Sequence, residues 1–247
     1  MVVLGLDTAT PMTAVALIDG EEVLAKEQVS DRRHSVNLLP AMDRALKQAG
    51  MGRGDLDGVA VGIGPGSFTG IRIGLAVAKT LAFVLDKPLL GVSSLKALAY
   101  GAKTQPEVAD WLEEEECQLC VAQDALKGEV FSARFRWRSS GGLETLQAEG
   151  ARDPSTWAKE LLELPEDGPF VVLGSGAERY AVMFHQTLES KIRIPREAVA
   201  HVVDAAAVAK LGLERLLAGE SDDPMSLEPM YCRLSEAELG LLKVQAP

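Results

Sequence analysis

The run Gly64-Pro65-Gly66-Ser67-Phe68-Thr69-Gly70 stands between an apolar strand-like stretch over 59–63 and a helix-like stretch over 71–85. Glycine lacks a Cβ and reaches φ > 0 without strain, so a turn this rich in it can bring backbone against a ligand or a neighbouring element at close range. Ser67 or Thr69 is placed to cap the helix that follows. No Gly-Lys-Ser/Thr follows as in a Walker loop, and Gly62-Ile63-Gly64 does not complete a dinucleotide fingerprint. Taken alone, the run predicts a tight strand-to-helix turn with free helix N–H groups, at most an anion seat.

The pattern around it predicts an α/β chain. Strands are expected over 2–6, 13–18 and 22–29, with Asp19-Gly20 as a hairpin signal, then a helix on which Val36, Leu39, Met42, Leu46 and Ala49 recur at helical spacing up to Gly50. A buried strand over 59–63, a helix over 71–85, a strand over 89–92 and a helix opening at Ser93 or Ser94 complete the first half. The second half repeats the order: strands over 118–123, 129–137 and 143–149, a helix over 155–164, a strand over 170–173, and helices over 178–188 and 204–217. Such repetition points to duplication, with lobes over 1–103 and 104–247 and the acidic segment 104–116 as the crossing between them. Asp153-Pro154, Glu166-Asp167-Gly168-Pro169 and Ser221-Asp222-Asp223-Pro224 read as loop punctuation.

With 247 residues and 47% hydrophobic content, the chain can bury a sizeable core. No basic segment and long apolar stretch open it as in a signal peptide, and the run 73–85 carries Lys79 and is too short for a bilayer, so no membrane association is expected and the setting is cytoplasmic. The three cysteines are an odd count that suits a reducing compartment. Cys117-Gln118-Leu119-Cys120 has C-x-x-C spacing, but on a strand residues three apart face opposite ways, so one buried and one exposed thiol are expected. His34, His185 and His201 are dispersed and read as surface or capping residues, with no metal site. A net charge of −11 is the wrong sign for holding nucleic-acid phosphates and suits a basic protein partner. The basic spots Arg32-Arg33-His34 and 134–138 are too small to change that.

The wording of the glycine turn, continued as Ile71-Arg72-Ile73-Gly74-Leu75-Ala76, resembles the signature of the TsaB (YeaZ) family, the dimerisation subunit of the bacterial tRNA threonylcarbamoyladenosine machinery. Further segments agree in order: Leu6-Asp7-Thr8-Ala9-Thr10, His34-Ser35 with Leu38-Leu39-Pro40, Gly91-Val92-Ser93-Ser94-Leu95, Asp124 with Gly128-Glu129-Val130-Phe131, and Pro229-Met230-Tyr231-Cys232-Arg233. The resemblance implies the actin-like ATPase (ASKHA) fold, two RNase H-like lobes with mixed sheets around a cleft.

In that fold Asp7 and Asp124 would face phosphates, and the turn Gly174-Ser175-Gly176 would lie against an adenosine. Each also has a plain structural reading, an Asx-turn or a strand-end loop, so a degenerate cleft is expected, with no required cofactor and at most weak ATP or ADP binding. The related catalytic subunit, TsaD, places metal-binding histidines where this chain has Ser94 and Leu98. Gly70, Gly74 and Ala78 recur every four residues, and the stripe either covers the chain's own sheet or receives a partner helix. The resemblance selects the partner, giving an interface of Gly70, Arg72, Gly74, Leu75 and Ala78 with Leu39, Met42 and Leu46. It implies a noncatalytic scaffold that pairs with a TsaD homologue, meets a TsaE homologue through the complex, touches tRNA only indirectly, and forms a homodimer when alone. The alternatives are a stand-alone actin-like ATP-dependent small-molecule kinase or ATPase and a self-associated storage or chaperone-like dimer.

Overall fold

The computed structural model describes residues 1–31, 33–114, 117–138, 141–165 and 169–233. Arg32 of the first basic spot, the end of the acidic crossing at 115–116, residues 166–168 of a predicted loop and the end of the predicted second lobe at 234–247 lie outside the described residues.

The first five-stranded sheet contains β1 (Val2–Asp7), β2 (Met12–Asp19), β3 (Glu22–Ser30), β4 (Gly58–Gly62) and β5 (Leu89–Val92), in the order β3-β2-β1-β4-β5. The second contains β6 (Gln118–Asp124), β7 (Val130–Trp137), β8 (Leu143–Arg152), β9 (Phe170–Leu173) and β10 (Ile192–Arg193), in the order β10-β9-β6-β7-β8. Both are an antiparallel three-strand meander extended by parallel strands on the side of its first strand. The duplication and the two RNase H-like lobes of an actin-like fold are thus present in the topology.

Eight helices, α1 (His34–Gln48), α2 (Phe68–Leu85), α3 (Ser94–Ala102), α4 (Pro106–Glu114), α5 (Pro154–Leu162), α6 (Ser175–Arg179), α7 (Ala181–Leu188) and α8 (Ala205–Leu217), are described. The central strands β1 and β6 are buried on both faces, so alternate residues belong to different cores. On β1, Val2, Leu4 and Leu6 face α1 and α2, while Val3 joins the core between the sheets. On β6, Leu119 and Val121 face that same central core, whereas Cys120 and Ala122 face α5 and α7.

The helices α3 and α8 fill the central layer, and each crosses to the other lobe's sheet. α3 packs on β6, β7 and β8, while α8 covers β1, β2, β4 and β5. A division at residues 103 and 104 therefore parts each of these helices from the sheet it packs on. Small residues permit the crossing: a Cβ at Gly5 would strike the backbone of α8 at Ala205, and one at Gly212 would lie 2.5 Å from Ala60 Cβ. α4 was not expected; it occupies the acidic segment and buries Val108 in the central core.

The C-x-x-C thiols lie on opposite faces, but both faces are covered, so Cys117 and Cys120 are both buried and neither is the exposed thiol expected. α2 is longer than its sequence predicted, and its 18 residues are apolar enough to cross a membrane by length and composition. One side of it nevertheless rests on the first sheet through Ile71, Leu75, Ala78 and Ala82, contacts that a bilayer span would give up.

Candidate functional site

The first sheet's parallel strands end beside one another at Asp7, Gly62 and Val92, the edge where open α/β sheets form their crevice. Asp7 is 1% exposed. Its Oδ1 accepts the Ala9 N–H at 2.9 Å, and its Oδ2 accepts the Ser94 hydroxyl at 2.6 Å. Ser94 Oγ in turn accepts the Gly64 N–H at 3.2 Å, and the Ser94 N–H donates to Gly64 O at 2.8 Å. Gly62 makes the room, since a Cβ there would run into Asp7 Oδ2. Burial pushes the Asp7 carboxyl up to about 6, with the Ser94 and Ala9 hydrogen bonds opposing it. Asp7 therefore ties the β1–β2 turn, the glycine-rich turn and the start of α3 together, and its two oxygens are engaged within the fold.

Asp124 closes β6 as an Asx-turn, its Oδ1 accepting the Leu126 N–H at 3.1 Å, and its Oδ2 is paired with Arg179 at 2.7 Å. Beside it, Ser175 Oγ accepts Gln123 Nε2 at 2.8 Å and the Asp124 N–H at 3.1 Å. Gly174 has φ +100°, and a Cβ at either Gly174 or Gly176 would lie 2.6 or 2.7 Å from Ala122 O. The close approach of this turn to β6 accounts for both glycines without a ligand.

Two of the three histidines are buried rather than on the surface, and each sits against a helix start, in keeping with the capping alternative. His201 Nδ1 accepts the Gly174 N–H at 3.0 Å and Nε2 lies 2.8 Å from Pro195 O, which puts the proton on Nε2. His34 Nδ1 is 2.8 Å from Thr13 Oγ1 at the start of α1, and burial lowers its pKa. His185 is exposed. Among the described residues, no three His, Cys, Asp or Glu side chains come together as a metal-binding group. Ser94 and Leu98 are both buried on α3.

The small-residue stripe of α2 faces inward. A Cβ at Gly70 would strike Thr8 O, and one at Gly74 would strike Thr8 Oγ1, whose hydroxyl donates to Gly70 O at 2.7 Å. Leu75 and Ala78 are buried in the core between α2 and the first sheet, as are Met42 and Leu46 of α1. Gly70, Gly74, Leu75, Ala78, Met42 and Leu46 thus hold the helices onto their own sheet and offer no surface to a partner. The stripe that α1 buries is Leu38, Ala41, Met42, Ala45 and Leu46. Of the residues expected at an interface, Leu39 and Arg72 are exposed.

On the opposite side of these helices the sequence pattern singles out only Leu39 and Arg72, and misses Val36, Phe83 and Val84 as surface residues. Phe83 is 75% and Val84 71% exposed at the end of α2, while Val36 is 58% and Leu39 52% exposed on α1. Ile73, Val77 and Leu81 are only partly covered. At the start of α2, the Arg72 guanidinium lies 3.8 Å over the Phe68 ring, and Phe68 stacks on Tyr231 with centroids 5.0 Å apart.

The family profile described as TsaD, tRNA N6-adenosine threonylcarbamoyltransferase, matches residues 22–241. The tRNA threonylcarbamoyladenosine biosynthesis protein TsaB of Bacillus subtilis is 32% identical, the match covering 99% of this chain and 100% of that protein. The solved YeaZ from Pseudomonas aeruginosa superposes with a TM-score of 0.73 at 27% identity, over 93% of this chain and 99% of that one. The component A of (R)-2-hydroxyglutaryl-CoA dehydratase from Acidaminococcus fermentans shares the fold at 12% identity, with a TM-score of 0.51 over 88% of this chain and 99% of that one.

Proposed function

This chain belongs to the TsaB (YeaZ) family, and from that membership we propose that it serves tRNA threonylcarbamoyladenosine biosynthesis as a noncatalytic scaffold paired with a TsaD homologue. The observation that carries the reading is the outer face of α1 and α2. Val36 and Leu39 are exposed in the first turns of α1 and Phe83 and Val84 in the last turn of α2, two helices that touch each other. Ile73, Val77 and Leu81 along α2 are only partly covered, which is more apolar side-chain surface than a helix pair without a partner needs to show. The docking surface is this outer face, with Arg72 at its edge. In isolation the same face takes a second copy of the chain.

Chemistry is left to the partner. Asp7 is closed into a hydrogen-bonded network, Asp124 is neutralised by Arg179, and Ser94 and Leu98 are not metal ligands. These features support a scaffold that requires no cofactor and binds ATP or ADP weakly. The charge of −11 supports indirect contact with tRNA, and a TsaE homologue joins through the complex. The working compartment is the cytoplasm.

Threonylcarbamoyl transfer to tRNA, measured with the purified TsaD and TsaE homologues with and without this chain, tests the role. A scaffold transfers nothing alone and restores transfer when added. Transfer by the chain alone, or by the partners without it, contradicts the proposal.

A further inference from the structure

After α8 the chain passes beside β5, from Leu89 at the strand's amino end to Ile63 just beyond the end of β4, and so reaches the carboxyl edge of the first sheet. Its root is held firmly. Arg215 grips the two carboxylate oxygens of Asp222 at 2.9 and 3.1 Å, the Asp222 N–H donates to Leu89 O at 2.8 Å, and Asp222 Oδ2 accepts the Gly91 N–H at 2.7 Å. Further along, Leu227 fills the space where a side chain at Gly91 would project, and the Met230 N–H donates to Ile63 O at 2.8 Å. The tip is held differently. Tyr231 stacks on Phe68 and accepts from Arg72 Nε at 2.8 Å, and two residues on Arg233 pairs with Glu129 at the start of the second lobe's β7, at 2.9 Å.

We propose that residues 222–233 form a strap, hinged at Asp222 and latched at Arg233, that couples α2 to the second lobe. The root has a forked ion pair, a backbone bond from the Asp222 N–H to Leu89 and a backbone donor, Gly91, on its carboxylate, a geometry that holds direction as well as charge. The latch is a single hydrogen-bonded ion pair, exposed to much the same degree as the root pair but without the second guanidinium bond and the backbone partners that hold Asp222. The tip therefore opens before the root. Because Tyr231 and Arg233 lie within one short segment, a change at Phe68 or Arg72 on α2 is felt at Glu129 across the cleft.

Amide hydrogen exchange on the isolated full chain tests this without a partner, so its outcome is independent of the scaffold proposal. Arg233→Glu, which sets two carboxylates against each other, is expected to speed exchange of the Met230 N–H about three- to tenfold while leaving the Asp222 N–H and the β1 amides unchanged. The charge swap Arg233→Glu with Glu129→Arg is expected to restore the slow rate. Tyr231→Ala is expected to speed exchange of the Glu129 N–H, which donates to Leu126 O across the β6–β7 turn. Equal acceleration at Met230 and Asp222, no change at Met230, failure of the swap to restore it, or no response of Glu129 to Tyr231→Ala each overturns the strap.

Discussion

Gly74→Ala separates an inward-facing α2 stripe from an outward-facing one by the sign of its effect. Replacing glycine by alanine inside a helix stabilises it by about 1 kcal/mol, other things equal. Here the new Cβ would overlap Thr8 Oγ1, while Thr8 Cβ and Cγ2 would lie at ordinary contact, 3.6 and 3.7 Å away. Thr8 cannot swing aside without breaking its hydrogen bond to Gly70 O, and it is fully buried. Overpacking of this kind costs about 1–3 kcal/mol, so Gly74→Ala alone is expected to be destabilising by up to about 2 kcal/mol after the helix gain. Thr8→Ala alone also destabilises, by about 1–3 kcal/mol, through loss of the buried hydrogen bond. The double variant should be more stable than the sum of the two by about 1–3 kcal/mol, because removing Oγ1 makes room for the methyl group. Thr8→Val gives no such relief, since a methyl replaces the oxygen. Urea unfolding with unchanged m-values measures all of these. A stabilising Gly74→Ala whose effect simply adds to that of Thr8→Ala would refute the inward assignment.

Asp7 holds its proton more tightly folded, at about 6, than unfolded, at 3.8, so its contribution is full below 3.8 and is lost as pH rises through 6. Relative to wild type, Asp7→Asn should gain about 2 kcal/mol of stability between pH 4 and pH 7 in denaturant titrations, and a flat difference would contradict the buried network. For His34 the sign is opposite: a lowered folded pKa stabilises the neutral ring above 6.5 and is lost on acidification, so His34→Gln should lose less stability than wild type as pH falls below 6.5. Native alkylation at pH 8 should modify Cys232 well before Cys117 or Cys120, the Cys120 thiol being pushed up to about 12 by burial, whereas in urea all three should react alike, as peptide mapping would show.

Periodicity made the order of strands and helices legible, and the glycine-rich run marked the β4–α2 turn. Which face of a helix is covered was harder to read. Gly70, Gly74 and Ala78 plainly share a side, but only the contacts of Gly70 and Gly74 with Thr8, distant in sequence, and the burial of Ala78 in the core show that the side faces in. On α1 the buried set includes Ala41 and Ala45 at i+3 and i+7 from Leu38, a pattern hidden because alanine carries little hydropathy signal. The α4 helix had a signal in Val108, Trp111 and Leu112, masked by its acidic neighbours. A strand-end aspartate looks the same in sequence whether it faces phosphate or a buried serine, and Ser94, 87 positions away, decides the case for Asp7. The crossing of α8 was foreshadowed by its alanines and Gly212, residues small enough for close approach to strands.

The central claim is that the outer face of α1 and α2, and not the glycine stripe, receives the partner. Light scattering coupled to size exclusion, on the chain mixed with a TsaD homologue, tests it with Val84→Glu and Phe83→Glu. Wild type should elute as a heterodimer, while each variant keeps its melting temperature and elutes apart from the partner. Undiminished pairing by folded variants that carry a charge at both positions would contradict the account.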